Sequence, residues 1–305
     1  MKKEWGNAPA LALLVLAVFS LSTSVIFIRL SELPPMQLSA FRLLGAAAVL
    51  SPVFWRDWRR QGSAVSPRML GMAVIIPGLV FGIHLVLWVV GARLTLAANA
   101  TLAVNMVPAV LPLFLWLIVG ERVTGRELAG TALGLAGLGL LAGGDLRLGG
   151  ELWKGDLICI VAMLFLALYL ALGRRNGPRF PTNWLYMVPV YTVAGSACLA
   201  ASALTGEPLG APSWRECALV GALLFFPTIL GHRLVNLVLR SVRGQVVGIF
   251  HQGQFISAGT LAFFVFGELP RPSFAMACAL VVGGALIVSW TRLGGRAVGQ
   301  QPDRP

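Results

Sequence analysis

Charge is scarce in this sequence. Only 12% of its 305 residues are charged and 57% are hydrophobic, against about 25% charged in a soluble domain. The mean hydropathy of +0.81 excludes an ordinary water-soluble fold. Acids are scarcer still: twelve in all, from Glu4 to Asp303, every one at or beyond the end of an apolar run. No carboxylate is at hand at mid-membrane for an organic cation or for the commonest proton relay, which disfavours cationic multidrug export. Cys159, Cys198, Cys217 and Cys278 are isolated, without metal-ligand spacing, and read as small buried hydrophobes rather than redox groups. No HExxH, GxSxG or paired aspartate stands beside a histidine, so nothing points to an enzyme, a metal or a cofactor.

Long apolar runs are what the sequence does have. A helix crossing about 30 Å of hydrocarbon needs about 20 residues. Ten runs qualify, at 9–30, 35–55, 69–92, 97–119, 127–143, 155–173, 184–204, 216–239, 245–267 and 273–291. The connections are short, so the expected fold is an all-α membrane protein of ten spans with no soluble domain.

The net charge of +12 sits at helix ends rather than on a displayed basic surface, so it argues for orientation and not for nucleic acid. With the N-terminus in the cytoplasm, sixteen basic residues fall on the inner side and six on the outer, leaving Arg42 and Arg233 inside spans. That bias places both termini in the cytoplasm. Lys2 and Lys3 ahead of an apolar run resemble a signal peptide, but no convincing small-x-small cleavage site follows and the first run has a partner in the second half. It is read as a retained helix.

That partner emerges from a 147-residue shift, which lays Pro34 on Pro181, Arg68 on Arg215 and Glu121 on Glu268. Five spans per half is an odd number, so the second copy must be inserted upside down: an inverted repeat, with halves at 1–144 and 154–305. Particular stretches then resemble the EamA type of the drug/metabolite transporter superfamily: ELPPMQLSAFRLLGAAAVL from Glu32, the run from Ala98 to Gly144 with its mid-helix Pro108 and Gly-Glu-Arg turn, Lys154 to Arg175, and Phe266 to Trp290. The resemblance implies a solute carrier, mainly an exporter, in a bacterial inner membrane. One departure is visible: Pro108 falls on Phe255, so the ninth span is expected to be straighter or bent at Gly253 and Gly259. Small residues at Gly130, Gly134 and Gly137, and at Ala275, Ala279 and Gly283, fit contact with a neighbouring helix better than a homodimer seam.

Polar residues at membrane depth are the candidates for a site. All three histidines, His84, His232 and His251, fall within spans, and the repeat register brings His84 beside His232 and Asn105 onto Gln252. Trp88 and Asn236 lie one turn from His84 and His232 and share their faces. Tyr169, Ser20 and Ser24 complete the substrate-binding candidates; the serines, with Thr23, form one face of the first helix. For each, helix-to-helix bonding is the rival reading. Trp88 also suits an interfacial belt, and Arg42 suits snorkelling or a pair with Glu32 better than anion binding. Prolines at Pro77, Pro108, Pro112 and Pro227 supply kinks for rocking motions.

The expected function is alternating-access transport of small neutral, zwitterionic or anionic metabolites, amino acids first, by a monomer or homodimer. Proton coupling through an imidazole and uncoupled facilitation both stay open. A broad-specificity drug exporter of the same fold is the alternative.

Overall fold

The computed structural model describes residues 7–121, 124–147, 151–207, 211–231, 234, 253–269 and 272–294. Among them the chain is helical: α1 (Asn7–Leu30), α2 (Pro35–Gln61), α3 (Pro67–Leu94), α4 (Ala97–Val104), α5 (Val107–Val119), α6 (Gly125–Arg147), α7 (Leu152–Asn176), α8 (Asn183–Leu204), α9 (Trp214–Leu223) running into a π-helical stretch (Leu224–Gly231), α10 (Gln254–Phe266) and α11 (Pro272–Gly294). Seven described segments are long and apolar enough to cross a bilayer, and shorter apolar helices fall on the fifth, ninth and tenth expected runs. This is an all-helical membrane protein.

Local chemistry sets the helix limits. Ser66, Thr182 and Ser213 cap α3, α8 and α9 by accepting from the backbone N–H of Met69, Leu185 and Glu216, as N-caps do. Gly120 and Gly267 end α5 and α10 in the left-handed conformation, with φ of 76° and 69°. After each, the glutamate N–H reaches back, Glu121 to Leu115 O and Glu268 to Ala262 O, closing the same Schellman turn in both halves. These caps are 147 residues apart.

The fourth run is two helices because Pro108 has no N–H to offer the carbonyl of Val104, and the chain turns at Asn105–Met106. In the second half α10 begins beyond Gly253, whose φ and ψ of −67° and −4° nearly match the −73° and 1° of Met106. The first part of the ninth run lies outside the described residues; α10 itself continues unbroken through Gly259. Pro227 opens the π stretch, where Thr228 Oγ1 donates to Leu223 O at 3.0 Å and Ser20 Oγ donates to Phe226 O at 2.7 Å. Carbonyls loosened by the wide turn are thus bonded by hydroxyls.

Around the centre, α3 packs on α7, α1 on α9 and its π stretch, α4 and α5 on α7, α10 on α1, α2 on α8, α6 on α11, and α4 on α10. Swapping each span for its partner 147 residues away returns this same set of central pairs. Glycine permits the closest approaches. A Cβ on Gly284 would lie 2.6 Å from Gly130 O, so α6 and α11 use their small faces on each other within one chain. Cys217 departs from the expected burial and is exposed, whereas Cys159 and Cys198 are buried.

At the α3–α7 seam a Cβ on Gly155 would sit 2.6 Å from the carbonyl carbon of Leu94 and 2.7 Å from Thr95 N. Backbone cannot rotate away, so the helices must part. Gly155→Ala is expected to cost about 1–3 kcal/mol, seen as a lower melting temperature in detergent. Gly71, with nothing within 4 Å of its would-be Cβ, supplies the control: Gly71→Ala should not lower it.

Candidate functional site

The exposed stripe of α3, Met72, Ile75, Ile76, Leu79 and Ile83, recurs every three or four residues and marks the lipid side. Phe81, His84 and Trp88 occupy the opposite face. Phe81 is midway along α3, and its ring stacks on Tyr169 of α7 (4.3 Å between centroids, 22°), Tyr191 of α8 (5.7 Å, 25°) and His84 (5.8 Å, 17°). Three helices thus meet through aromatic faces at mid-depth. Phe81 and Tyr191 keep part of their surface accessible, although both lie on inward faces.

His84 is 4% exposed and its Nδ1 lies 2.8 Å from Ala162 O on α7. A carbonyl only accepts, so Nδ1 carries the proton and Nε2 is left as the acceptor. Trp88, one turn along, is 7% exposed and part of the main core. The interfacial-belt reading fails for it because its face of α3 is covered by neighbouring helices; among the described residues Trp55, Trp116 and Trp214 are the exposed indoles.

Tyr169 joins the stack. Asn105 sits at the α4–α5 break. Ser20 is committed to the π stretch, Thr23 Oγ1 donates to Ser20 O at 2.7 Å, and Ser22 bridges α1 to α10 through Gln254 O at 3.0 Å. Ser24 is half-buried on α1. His232, Asn236, His251 and Gln252 lie outside the described residues, as does Arg233. The structure therefore brings His84 and Tyr169 together through Phe81 and adds Phe81 and Tyr191, which polarity alone did not single out; Trp88, one turn on, packs in the main core. Their signal was present: Phe81 is one turn before His84, and Tyr191 is one of three tyrosines.

Arg42 of α2 also belongs here. It is half-buried on the face of α2 that carries Leu38, Ser39 and Ala46, all buried. The expected pairing with Glu32 does not form, because Arg215 holds Glu32 at 3.1 Å at the start of α9, and Arg42 faces inward instead.

Charged groups close one end of the bundle. Arg29 pairs with Glu268 and lies 4.6 Å from the ring centre of Phe266, and the other oxygen of Glu268 accepts from Ala97 N at 2.9 Å. Ser31 Oγ donates to Glu216 at 2.5 Å, Thr95 Oγ1 to Asp156 at 2.6 Å, and Arg93 spreads its donors over the carbonyls of Ile28, Ser31 and Leu33. At the opposite end, Glu121 meets Arg174 at 3.3 Å. The side chains of Arg29 and Glu268 are 19% and 13% exposed, whereas those of Arg174 and Glu121 are 66% and 43% exposed. Among the described residues, the pair at one end is mostly buried and the pair at the other is mostly exposed.

Comparisons with known proteins converge on this architecture. A crystal structure of a protein 23% identical to this chain aligns with a TM-score of 0.59, covering 94% of this chain and 99% of the other, a likeness of fold. An aromatic amino acid exporter, YddG of Ancylobacter novellus, is 26% identical over 293 residues, 91% of this chain and 94% of its own length. Residues 8–143 and 153–290 each match the model of the EamA-like transporter family. Two matched segments account for nearly all of the helical bundle, and the chain belongs to that family: it is a membrane transporter, not an enzyme.

Proposed function

We propose that the protein exports small zwitterionic or anionic metabolites, with aromatic amino acids as the leading class. In this reading ten spans form two oppositely inserted five-helix halves in a bacterial inner membrane, with both termini in the cytoplasm. The central packing that survives exchange of the halves supports the arrangement, as does the placing of Glu121 and Glu268 at opposite ends. The positive-inside bias then puts the Glu268 end outside.

The observation that carries the substrate reading is the mid-depth stack of Phe81, Tyr169, Tyr191 and His84. Aromatic faces at a partly accessible centre favour flat apolar groups by stacking, worth about 0.5–1.5 kcal/mol per pair beyond burial. The name of the Ancylobacter novellus relative points to the same substrates. Alternating access follows from rocking one half against the other, with the break at Asn105–Met106 and the π stretch as the compliant points.

Purified protein in liposomes loaded with unlabelled phenylalanine is expected to accumulate labelled phenylalanine, tyrosine and tryptophan by saturable exchange. Absence of saturable exchange for these and for the smaller neutral amino acids would overturn the reading. Broad transport of hydrophobic toxins with no amino-acid flux would favour a drug exporter of the same fold.

A further inference from the structure

We propose that Arg42 is the carboxylate anchor of the transported solute, a specificity residue of the aromatic centre. The inference rests on the transport reading above and adds to it the chemical group that is recognised.

Arg42 lies seven residues into α2, about 10 Å from its start. It shares a helix face with Leu38, Ser39 and Ala46, all buried. Its depth follows from its neighbours. The start of α2 and the end of α8 meet where Thr205 Oγ1 approaches Met36 Sδ at 3.8 Å. Tyr191 is thirteen residues before Leu204 at that same end of α8, about 20 Å along the helix. Leu43 and Leu44, next to Arg42, lie against Gly195 of α8, one turn from Tyr191, where a Cβ would meet them at 3.1 and 2.7 Å, so Arg42 stands at the depth of Tyr191 and not at the membrane face where a snorkelling side chain would end.

A permanent cation at such depth requires a counter-charge. Among the described residues none forms an ion pair or hydrogen bond with Arg42. The sequence offers no replacement, since every acid lies at a helix end and Glu32 is taken by Arg215. Arg42 also keeps part of its surface accessible. The missing partner is thus one that arrives and leaves. A carboxylate fits the planar fork of donors in two parallel hydrogen bonds. The acceptor Nε2 of His84 suits the ammonium group of an amino acid, and Phe81, Tyr169 and Tyr191 supply faces for its side chain. A solute with an added positive side chain would meet Arg42 as a like charge.

A ligand series on the wild-type protein tests this without relying on any variant. In detergent, L-phenylalanine and 3-phenylpropionate, which keep the carboxylate, are expected to raise the melting temperature, whereas phenylalaninamide, which lacks it, does not. Arg42→Gln is expected to weaken the effect of L-phenylalanine about 10-fold or more, as a shift in half-saturating concentration, and Arg42→Lys by less. The matching liposome experiment should show the same order in exchange. Equal stabilisation by the amide and the acid, or an Arg42→Gln protein that folds and still prefers the acid, would overturn the anchor while leaving amino-acid transport intact. Loss of saturable exchange for every solute with the wild-type protein would instead remove the transport reading and the anchor with it.

Discussion

With Arg29→Cys and Glu268→Cys combined, bridging the two thiols with a bifunctional reagent is expected to bring exchange to background, and cleaving the bridge to restore it. The pair ties α1 to α10 at the Glu268 end, and a covalent tie there forbids the rocking that opens it. The charge itself makes a second arm of the test. Glu268→Gln keeps the shape but leaves the mostly buried Arg29 without its anion and weakens the bond to Ala97 N. Breaking a fully buried pair costs about 3–5 kcal/mol; with side chains 19% and 13% exposed, about 2 kcal/mol is a fair discount. That corresponds to roughly 30-fold in the opening equilibrium, read as faster thiol labelling at the Glu268 end. Glu121→Gln, at the exposed pair, should change the corresponding equilibrium by no more than about 1 kcal/mol. Equal effects at both ends would show that the difference in burial does not govern closure.

Phe81→Ala is expected to be the most damaging single truncation. It removes the ring shared by three aromatic neighbours on three helices and leaves a void at their junction. Truncations of this kind cost about 3–5 kcal/mol, and less where surface was already accessible. Phe81→Leu retains volume and should cost less than about 1.5 kcal/mol. The two variants separate packing from recognition: the folded leucine variant should show a higher half-saturating concentration for tryptophan and phenylalanine, with alanine flux unchanged. A uniform loss for all three solutes would assign Phe81 to packing alone.

Much of the architecture was legible because its signals are local. Pro108 removes a donor wherever it stands, so the broken fourth run could be read from one residue. Gly120 and Gly267, each followed by glutamate, announce the same left-handed cap in both halves. The small-residue faces at Gly130 to Gly137 and at Ala275 to Gly283 anticipated contact with a neighbouring helix, and Gly284 beside them makes the close approach of α11 to α6. The start of α10 after Gly253 was less legible, since no proline marks it and glycine permits a turn without requiring one.

The site was only partly legible, for a different physical reason. Helical periodicity tells which residues share a face, but not what covers that face. Trp88 looked interfacial by depth along its helix and proved to be core, because other helices cover that face. Arg42 was matched to the acid nearest in sequence; the partner that claimed Glu32, Arg215, stands 183 positions away. Phe81 was passed over because an apolar ring in an apolar helix carries no signal until Tyr169 and Tyr191 are laid against it.

The unequal burial of the Arg29–Glu268 and Arg174–Glu121 pairs bears on kinetics. If the conformer with a sealed Glu268 end is the resting one, a solute arriving from the Glu121 side meets a form ready to receive it. A solute arriving from the other side can bind only the minor population, and its apparent affinity is diluted by that fraction. Half-saturation should therefore differ between the two membrane faces, a built-in sidedness that needs no energy source.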